Sequence, residues 1–258
     1  MYFIDSHCHL PPVEQKERLE EVINNAIAAG VHKFVNIGTS VSENAKVLKV
    51  SGEYPQTYPT AAIYPHENMD RSLDELEQYL RDFVSENREA LVGVGEAGID
   101  ISNWKKGRDL KDQVDLFEFQ VRLAKEYNLP LIVHNRNGDD QVLSVLNKIK
   151  PPKVVIHCFA SDWKFAEKVL EMGFYISFSG LITYESRKSL LEVVKKVPND
   201  KFLIETDSPY LPPASHRGEK NQPKYVKIIA QKISEVKGIS LENVAKLSSS
   251  NTERLLGI

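Results

Sequence analysis

The chain has 258 residues, of which 41% are hydrophobic and 27% charged, and its formal net charge is −3. This length suits either two small domains or one α/β barrel of about 250 residues. The slightly negative charge excludes a global attraction to phosphate backbones, so extended binding to duplex nucleic acid is not expected.

The sequence contains no run of about 18 apolar residues, the length that a membrane span requires. Its N-terminus enters a strand-like segment at once and lacks the pattern of a signal peptide. We therefore expect a cytoplasmic protein without membrane contact. The two cysteines, Cys8 and Cys158, lack CxxC spacing and are expected to be buried thiols.

Short apolar, β-branched segments alternate with segments of helical spacing along the whole chain. The predicted strands are 2–6, 33–38, 58–63, 91–95, 131–134, 154–157, 174–178 and 202–205. Such nearly continuous apolar runs are typical of a parallel sheet buried on both faces. The alternation predicts the α/β class and a TIM-type (β/α)8 barrel, regular or distorted, as one domain over residues 1–258. An open doubly wound sheet is the alternative, but it usually has a glycine-rich loop after its first strand.

The segment after the last predicted strand contains a long loop, marked by Pro212, Pro213 and Gly218. A helix and two shorter helical stretches are expected after this loop. Ser250 and Glu253 have the spacing of a capping box, which predicts that the last helix begins there.

Imidazole and carboxylate side chains stand at the predicted strand ends. In barrels of this type, catalytic groups come from the C-terminal ends of the strands. His7 and His9 share one face by the two-residue period of a strand. The full set is His7, His9, Glu96, His134, His157 and Asp207. Each has a structural alternative alone, such as a core histidine or a cap, but together they predict a metal site.

Six nitrogen and oxygen ligands exceed the three that usually hold one catalytic zinc. We therefore predict two divalent ions, magnesium, manganese or zinc, that share Glu96 as a bridge. One ion is expected on His7, His9, Glu96 and Asp207, and the other on Glu96, His134 and His157. A water held between the ions would lose a proton near neutral pH, and Asp207 is expected to move that proton to the leaving group.

Six ordered motifs resemble those of the TatD-related metal-dependent deoxyribonucleases, a family of the amidohydrolase superfamily. The motifs are FIDSHCHL at 3–10, VGVGEAGID at 92–100, IVHNR at 132–136, IHCF at 156–159, ETDSPYL at 205–211 and RGEKNQP at 217–223. The resemblance implies a barrel fold, dependence on divalent metal and hydrolysis of DNA phosphodiesters. It also supports the ligand roles assigned above.

The chain departs from the family pattern in places that concern substrate fit more than metal binding. The family usually has His-Pro-His after the third strand, and this chain has Tyr64-Pro65-His66. Substrate contacts of the first family histidine are therefore not carried over to Tyr64. Phe159 is followed by Ala160-Ser161, where the family has a small residue and glycine.

Further residues are predicted to bind substrate or to support a ligand. Arg136 is expected to bind a phosphate, or else to pair with a carboxylate. Aromatic and basic rim residues are expected to contact bases and phosphates, although solvated loops are the alternative. The predicted substrate contacts are His66, Trp104, Arg136, Tyr210 and Arg217. Glu205 shares a face with Asp207 and is expected to orient a ligand or to pair with a cation inside the barrel.

These features together predict a metal-dependent deoxyribonuclease that acts as an exonuclease on single-stranded or frayed DNA ends. A hydrolase of a small ester, an amide or an aminoacyl-tRNA bond is an alternative that would use the same two ions. A structural or metal-buffering site is a third reading, but such sites are usually coordinatively closed.

Overall fold

Eight parallel β-strands form a barrel wall in the computed structural model, which describes residues 1–102 and 107–258. Each strand pairs with the next one in the chain. The predicted (β/α)8 barrel is therefore confirmed in its nearly closed form. The strands are β1 Phe3–Cys8, β2 Val31–Asn36, β3 Thr57–Ala61, β4 Gly93–Asp100, β5 Leu131–Arg136, β6 Val154–Ile156, β7 Tyr175–Phe178 and β8 Phe202–Ile204.

Helices cover the outside of this wall. In the described ranges they are α1 Lys16–Ala28, α2 Val41–Glu53, α3 Leu73–Glu86, α4 Leu110–Glu126, α5 Asp139–Ile149, α6 Trp163–Glu171, α7 Ser189–Lys196, α8 Val226–Lys237 and α9 Leu241–Leu256. The first seven each connect two successive strands, and the last two follow β8. Side chains of serine or aspartate cap several of them, and Ser72 with Glu75 forms a full capping box on α3. Within the described ranges, no helix is both long and apolar enough for a membrane crossing.

The C-terminal helix differs from its prediction. Helix α9 begins after Ser240, whose side chain accepts a hydrogen bond from the Asn243 N–H, and continues through Ser250. The predicted helix start at Ser250 is therefore wrong. Ser250 itself is exposed within this helix, and its buried neighbour Asn251 donates from Nδ2 to the carbonyl of Phe202 on β8 at 2.9 Å.

Side chains on β1 close the barrel against β8. The Asp5 carboxylate accepts hydrogen bonds from the main-chain N–H and the hydroxyl of Thr206, at 2.9 and 2.5 Å. Ser6 Oγ donates to the carbonyl of Ile204 at 2.9 Å. Burial raises the pKa of Asp5 to about 8, although its hydrogen bonds from Thr206 and His7 act in the opposite direction. We call this set of contacts the β1–β8 seam.

Main-chain hydrogen bonds continue the seam beyond the strand ends. The Asp207 N–H donates to the His7 carbonyl at 2.9 Å, and the His9 N–H donates to the Ser208 carbonyl at 2.7 Å. The first and last segments of the barrel therefore run side by side where three predicted ligands lie.

Bulges interrupt the pairing of β1 and β4, two of the three strands that carry a ligand in their interior. Between Asp5 and Cys8, β1 advances three residues while β2 advances two. Strand β4 likewise advances three residues from Val94 to Ala97 while β5 advances two. A bulge leaves one residue unpaired and re-aims neighbouring side chains. The second bulge contains Glu96, which therefore lies within β4 and not at its end as predicted.

Replacement of Thr206 by valine tests the seam, because the change keeps the side-chain shape and removes the hydroxyl. The Thr206 hydroxyl donates to Asp5 and accepts from the Ser208 N–H. We expect the free energy of unfolding to fall by about 1 to 3 kcal/mol for each buried group left without a partner. Denaturant unfolding measures this change.

Thr252→Val is the matched control for that experiment. Thr252 is also buried, but its hydroxyl donates only to a carbonyl one turn earlier in its own helix. Its loss should therefore be near neutral. Equally small effects of both substitutions would contradict a stabilising role of the Thr206 hydroxyl in the seam.

Candidate metal centre

The six predicted ligands meet at the C-terminal mouth of the barrel. His7, Glu96 and His157 are buried, with exposed fractions of 0%, 5% and 4%. His9 and His134 are partly exposed. The centre is thus sunk below the rim and remains open on one side.

The first group of donor atoms comes from β1 and the segment after β8. His7 Nε2 and His9 Nε2 lie 3.7 and 3.6 Å from Asp207 Oδ1. They lie 3.5 and 3.9 Å from Glu96 Oε2. Ligands of one tetrahedral ion at bond lengths near 2.1 Å are roughly 3.4 Å apart. The separations in this group therefore fit one shared ion.

The second group of donor atoms comes from β4, β5 and the end of β6. Glu96 Oε1 lies 2.7 Å from His134 Nδ1 and 2.8 Å from His157 Nε2. These two nitrogens are 3.2 Å apart. Octahedral ligands at bond lengths near 2.1 Å are roughly 3.0 Å apart, so this group also fits one ion.

His7 carries a further sign of a missing partner. Within the described part of the chain, neither of its ring nitrogens has a hydrogen-bond partner, although the side chain is fully buried. Buried polar atoms normally have a partner. The ring also stacks on His157 at a centroid distance of 3.9 Å. A metal ion would be a suitable partner, because neutral imidazole is a common metal ligand.

The charges of the centre favour a neutral His7 and an ionised Glu96. Burial and the nearby His157 lower the pKa of His7. Burial raises the pKa of Glu96, but the charge of His157 and the hydrogen bonds that Glu96 accepts from His134 and His157 outweigh it and hold this pKa well below its usual range. Burial lowers the pKa of His134, but the nearby carboxylates of Asp100 and Glu96 outweigh it and raise this pKa above its usual range.

Outer partners fix the histidines of the second group. Glu205 Oε1 lies 3.2 Å from His157 Nδ1 and also accepts from the Cys158 N–H at 2.8 Å. Glu205 therefore stands where a residue that orients His157 is expected. His134 Nε2 faces Tyr64 and Asp100 on the opposite side of its ring from Glu96.

Asp207 and Cys158 adopt backbone conformations that are uncommon for residues other than glycine. Their φ angles are 58° and 44°. Such strain persists where surrounding contacts hold the residue, and it is concentrated at functional sites. The seam supplies such contacts for Asp207, whose N–H is bound by His7.

The predicted substrate residues have different surroundings. Tyr210 is 60% exposed, and its ring meets that of His9 edge-on at 5.6 Å. Arg136 and Arg217 are exposed, and no ion pair of either is found among residues 1–102 and 107–258. Trp104 lies outside the described residues. These four roles stay predictions.

His66 is held by the main chain. Its Nδ1 accepts from the Arg108 N–H at 3.1 Å, so its Nε2 carries the proton and donates to the Asp100 carbonyl at 3.0 Å. These bonds hold the ring between the main chain of Arg108 and the end of β4. The substrate role of His66 stays a prediction.

Asp100 was not among the predicted site residues. It ends β4 and shares the face of Glu96 by the two-residue period, which was the available signal. Between them, Gly98 lets β4 approach β5 closely, because a Cβ there would collide with the His134 carbonyl. Burial raises the pKa of Asp100, but the nearby His134 and the hydrogen bonds from Ser102 and Tyr64 outweigh it and lower this pKa.

Comparisons with known proteins agree with the geometry. Residues 4–257 match the family model described as TatD related DNase. The uncharacterized metal-dependent hydrolase YabD of Bacillus subtilis is 35% identical over 256 residues, which cover 98% of each chain. A Citrobacter rodentium protein named 3'-5' ssDNA/RNA exonuclease TatD is 31% identical over 249 residues, covering 93% of this chain and 92% of that one.

A solved structure extends the likeness to three dimensions. The TatD homolog YJJV of Escherichia coli superposes with a TM-score of 0.91 and 28% identity, and 99% and 98% of the two chains are covered. The family match and the full-length relatives confirm the resemblance noted in the motifs. With clusters that could hold metal in a barrel of this kind, the chain belongs to the TatD-related DNase family of metal-dependent hydrolases.

Proposed function

We propose that this protein is a divalent-metal-dependent deoxyribonuclease that removes nucleotides from single-stranded or frayed DNA ends. The observation that carries the proposal is the position of the Glu96 carboxylate between two ligand groups. Its Oε2 faces His7 and His9, and its Oε1 faces His134 and His157. The family description and the name of the Citrobacter relative support a nucleic-acid substrate.

The charge of the centre supports two ions. Four carboxylates surround it, and when ionised they carry four negative charges, which two divalent cations balance. These carboxylates are Glu96, Asp100, Glu205 and Asp207. Divalent ions bound there would lower the pKa of a water and offset the negative charge that develops on a phosphate. Magnesium, manganese and zinc all suit the imidazole and carboxylate donors.

Asp207 is the proposed general base. Its Oδ1 lies 3.7 and 3.6 Å from the Nε2 atoms of His7 and His9, and its side chain is 12% exposed at the mouth. A carboxylate there accepts the proton of the attacking water as the new P–O bond forms. It then returns the proton to the leaving oxygen as the old P–O bond breaks. General acid–base catalysis typically contributes about 10²- to 10⁴-fold in rate.

Arg136 and Tyr210 are the proposed contacts for the DNA strand. The exposed Arg136 guanidinium, at the end of β5, is available for a phosphate. The exposed ring of Tyr210 offers a surface for a base, and each such stack contributes about 1 to 3 kcal/mol. Trp104 and Arg217 are proposed to extend these contacts along the rim.

The depth of the centre favours a strand end. The ligands His7, Glu96 and His157 are almost fully buried, so a phosphate must enter the mouth to reach them. An intact duplex presents its phosphates on a broad convex surface that does not fit there. A single strand can thread its terminal phosphate inward while its base stays at the rim.

Removal of metal with a strong chelator should abolish hydrolysis, because every proposed ligand is an imidazole or a carboxylate. Adding back Mn²⁺, Mg²⁺ or Zn²⁺ should restore activity, and elemental analysis should find two ions per chain. Full activity in protein shown by elemental analysis to be metal-free would falsify the proposed mechanism.

Substitutions of Glu96, His134 and Asp207 should distinguish the bridging role of Glu96 from the proton-transfer role of Asp207. Glu96→Ala should remove both ions, whereas His134→Ala should remove one. Asp207→Asn should retain most of the metal but lower kcat by about 10²- to 10⁴-fold, since the amide cannot accept the proton. Metal content and single-turnover rates measure these effects.

Glu126→Ala is the control for these variants, because this exposed carboxylate pairs with Arg81 on the outer helices. It should change neither metal content nor rate. Equal losses of metal in the Glu96 and His134 variants would contradict the bridging role of Glu96.

The mode of cleavage can be tested with an end-labelled single strand and a covalently closed circle of the same sequence. We expect the linear strand to lose nucleotides progressively and the circle to resist, because only the linear strand has an end to thread. Rapid cleavage of the circle would reject the end-dependent reading. Hydrolysis of an ester or an aminoacyl-tRNA without nucleotide release would favour the alternative hydrolase.

A further inference from the structure

Two buried glutamines of α4 hold the ends of β3 and β4. Gln113 accepts from the Asp100 N–H at 2.9 Å and donates to the Asp100 carbonyl at 3.2 Å. Gln120 makes the same pair of bonds with Ile63, at 2.8 and 3.0 Å. The two glutamines are seven residues apart and therefore share one helix face. Helix α4 thus fixes the main chain at Asp100 and beside Tyr64.

The side chains held in this way form a chain of hydrogen bonds. The Tyr64 hydroxyl donates its one proton to Asp100 Oδ2 at 2.6 Å. The other oxygen, Asp100 Oδ1, accepts from the Ser102 N–H at 2.9 Å, which sets the orientation of the carboxylate. Because its proton is used, the Tyr64 oxygen can only accept from a further donor. Among the described residues, His134 Nε2 lies 3.3 Å from this oxygen.

Asp100 is too far from His134 to replace this contact. Its Oδ2 lies 3.6 Å from His134 Nε2, beyond the range of a hydrogen bond. The Tyr64 ring also packs edge-on against the His134 ring, with centroids 4.9 Å apart. Tyr64 is therefore the group that connects the histidine to the carboxylate.

We infer that Tyr64 is a positioning residue that, with Asp100, holds His134 in the tautomer protonated on Nε2 and directs its Nδ1 toward the second ion. The inference rests on the proposed metal centre. Nδ1 at 2.7 Å from Glu96 Oε1 is repulsive unless a proton or a metal cation lies between them, so with the proton of a neutral ring held on Nε2 a bound ion would take that place. Histidine ligands usually donate their other N–H to an outer partner, and loss of such partners typically lowers metal affinity about 10- to 100-fold.

This role accounts for a tyrosine at a position where the family usually has histidine. A phenol has one proton to donate and can accept at the same oxygen, so one atom serves both neighbours. Tyr64 reaches Asp100 and His134 without contacting the donor atoms of the centre itself.

Tyr64→Phe is the direct test, because it keeps the ring and removes only the hydroxyl. Calorimetric titration of the full-length, metal-stripped protein with Zn²⁺ should show two binding steps. The same titration of His134→Ala should lack the second binding step. In Tyr64→Phe that second step should weaken about 10- to 100-fold and the first should not change. Nitrogen NMR of neutral His134 should show Nε2 protonated in the unmodified protein and a tautomer mixture in the variant.

Tyr79→Phe is the matched control, since it removes a partly buried hydroxyl that donates to the Val41 carbonyl in the helix layer. Tyr79→Phe should change neither the second Zn²⁺-binding step nor the tautomer of His134. If circular dichroism shows that Tyr64→Phe does not fold, Asp100→Asn replaces it with the same two expectations. An unchanged tautomer or an unchanged second step in a folded variant overturns the inference. Absence of a second Zn²⁺-binding step in the unmodified protein would instead overturn the two-ion proposal. The tautomer measurement would still test whether Tyr64 positions His134.

Discussion

Closure of the barrel between its first and last strands is the constraint on which the candidate centre depends. The buried Asp5 carboxyl group joins β1 to the segment after β8 by binding Thr206 twice, and two main-chain hydrogen bonds continue this contact. The same contact brings the end of β1 against the segment after β8, so His7 and Asp207 become neighbours although 200 residues separate them. The interaction that completes the fold therefore also assembles the first ligand group.

Local irregularities in the strands then set the orientation of the ligand side chains within the closed barrel. Bulges in β1 and β4 interrupt an otherwise regular parallel wall, and the second one turns Glu96 toward both ligand groups. Asp207 and Cys158 adopt left-handed backbone conformations at the ends of the segments that carry them. The regular hydrogen-bond ladder makes the barrel wall rigid, and the bulges and left-handed residues set the directions in which the ligand side chains point.

Much of this architecture could be predicted because each strand has its own local signal, a short apolar run between helical segments. All eight strands and the meeting of the six ligands followed from that pattern. The position of Glu96 inside β4 did not, because a bulge next to glycine looks like a strand end. The helix start predicted at Ser250 was wrong, because the spacing of Ser250 and Glu253 also occurs inside a helix and does not show that their neighbour Asn251 is buried against β8. Gln113 and Gln120 could not be recognised, because their partners lie far away in sequence.

The wide spacing of the ligands has a consequence for how the protein is made. Between His7 and its partner Asp207 lie seven of the nine helices that the described residues form. Contacts so distant in sequence form late, after the cost of closing a long loop has been met. A nascent chain therefore cannot gather the first ligand group until residue 207 has left the ribosome, whereas the ligands of the second group, Glu96, His134 and His157, are all present once residue 157 has been made.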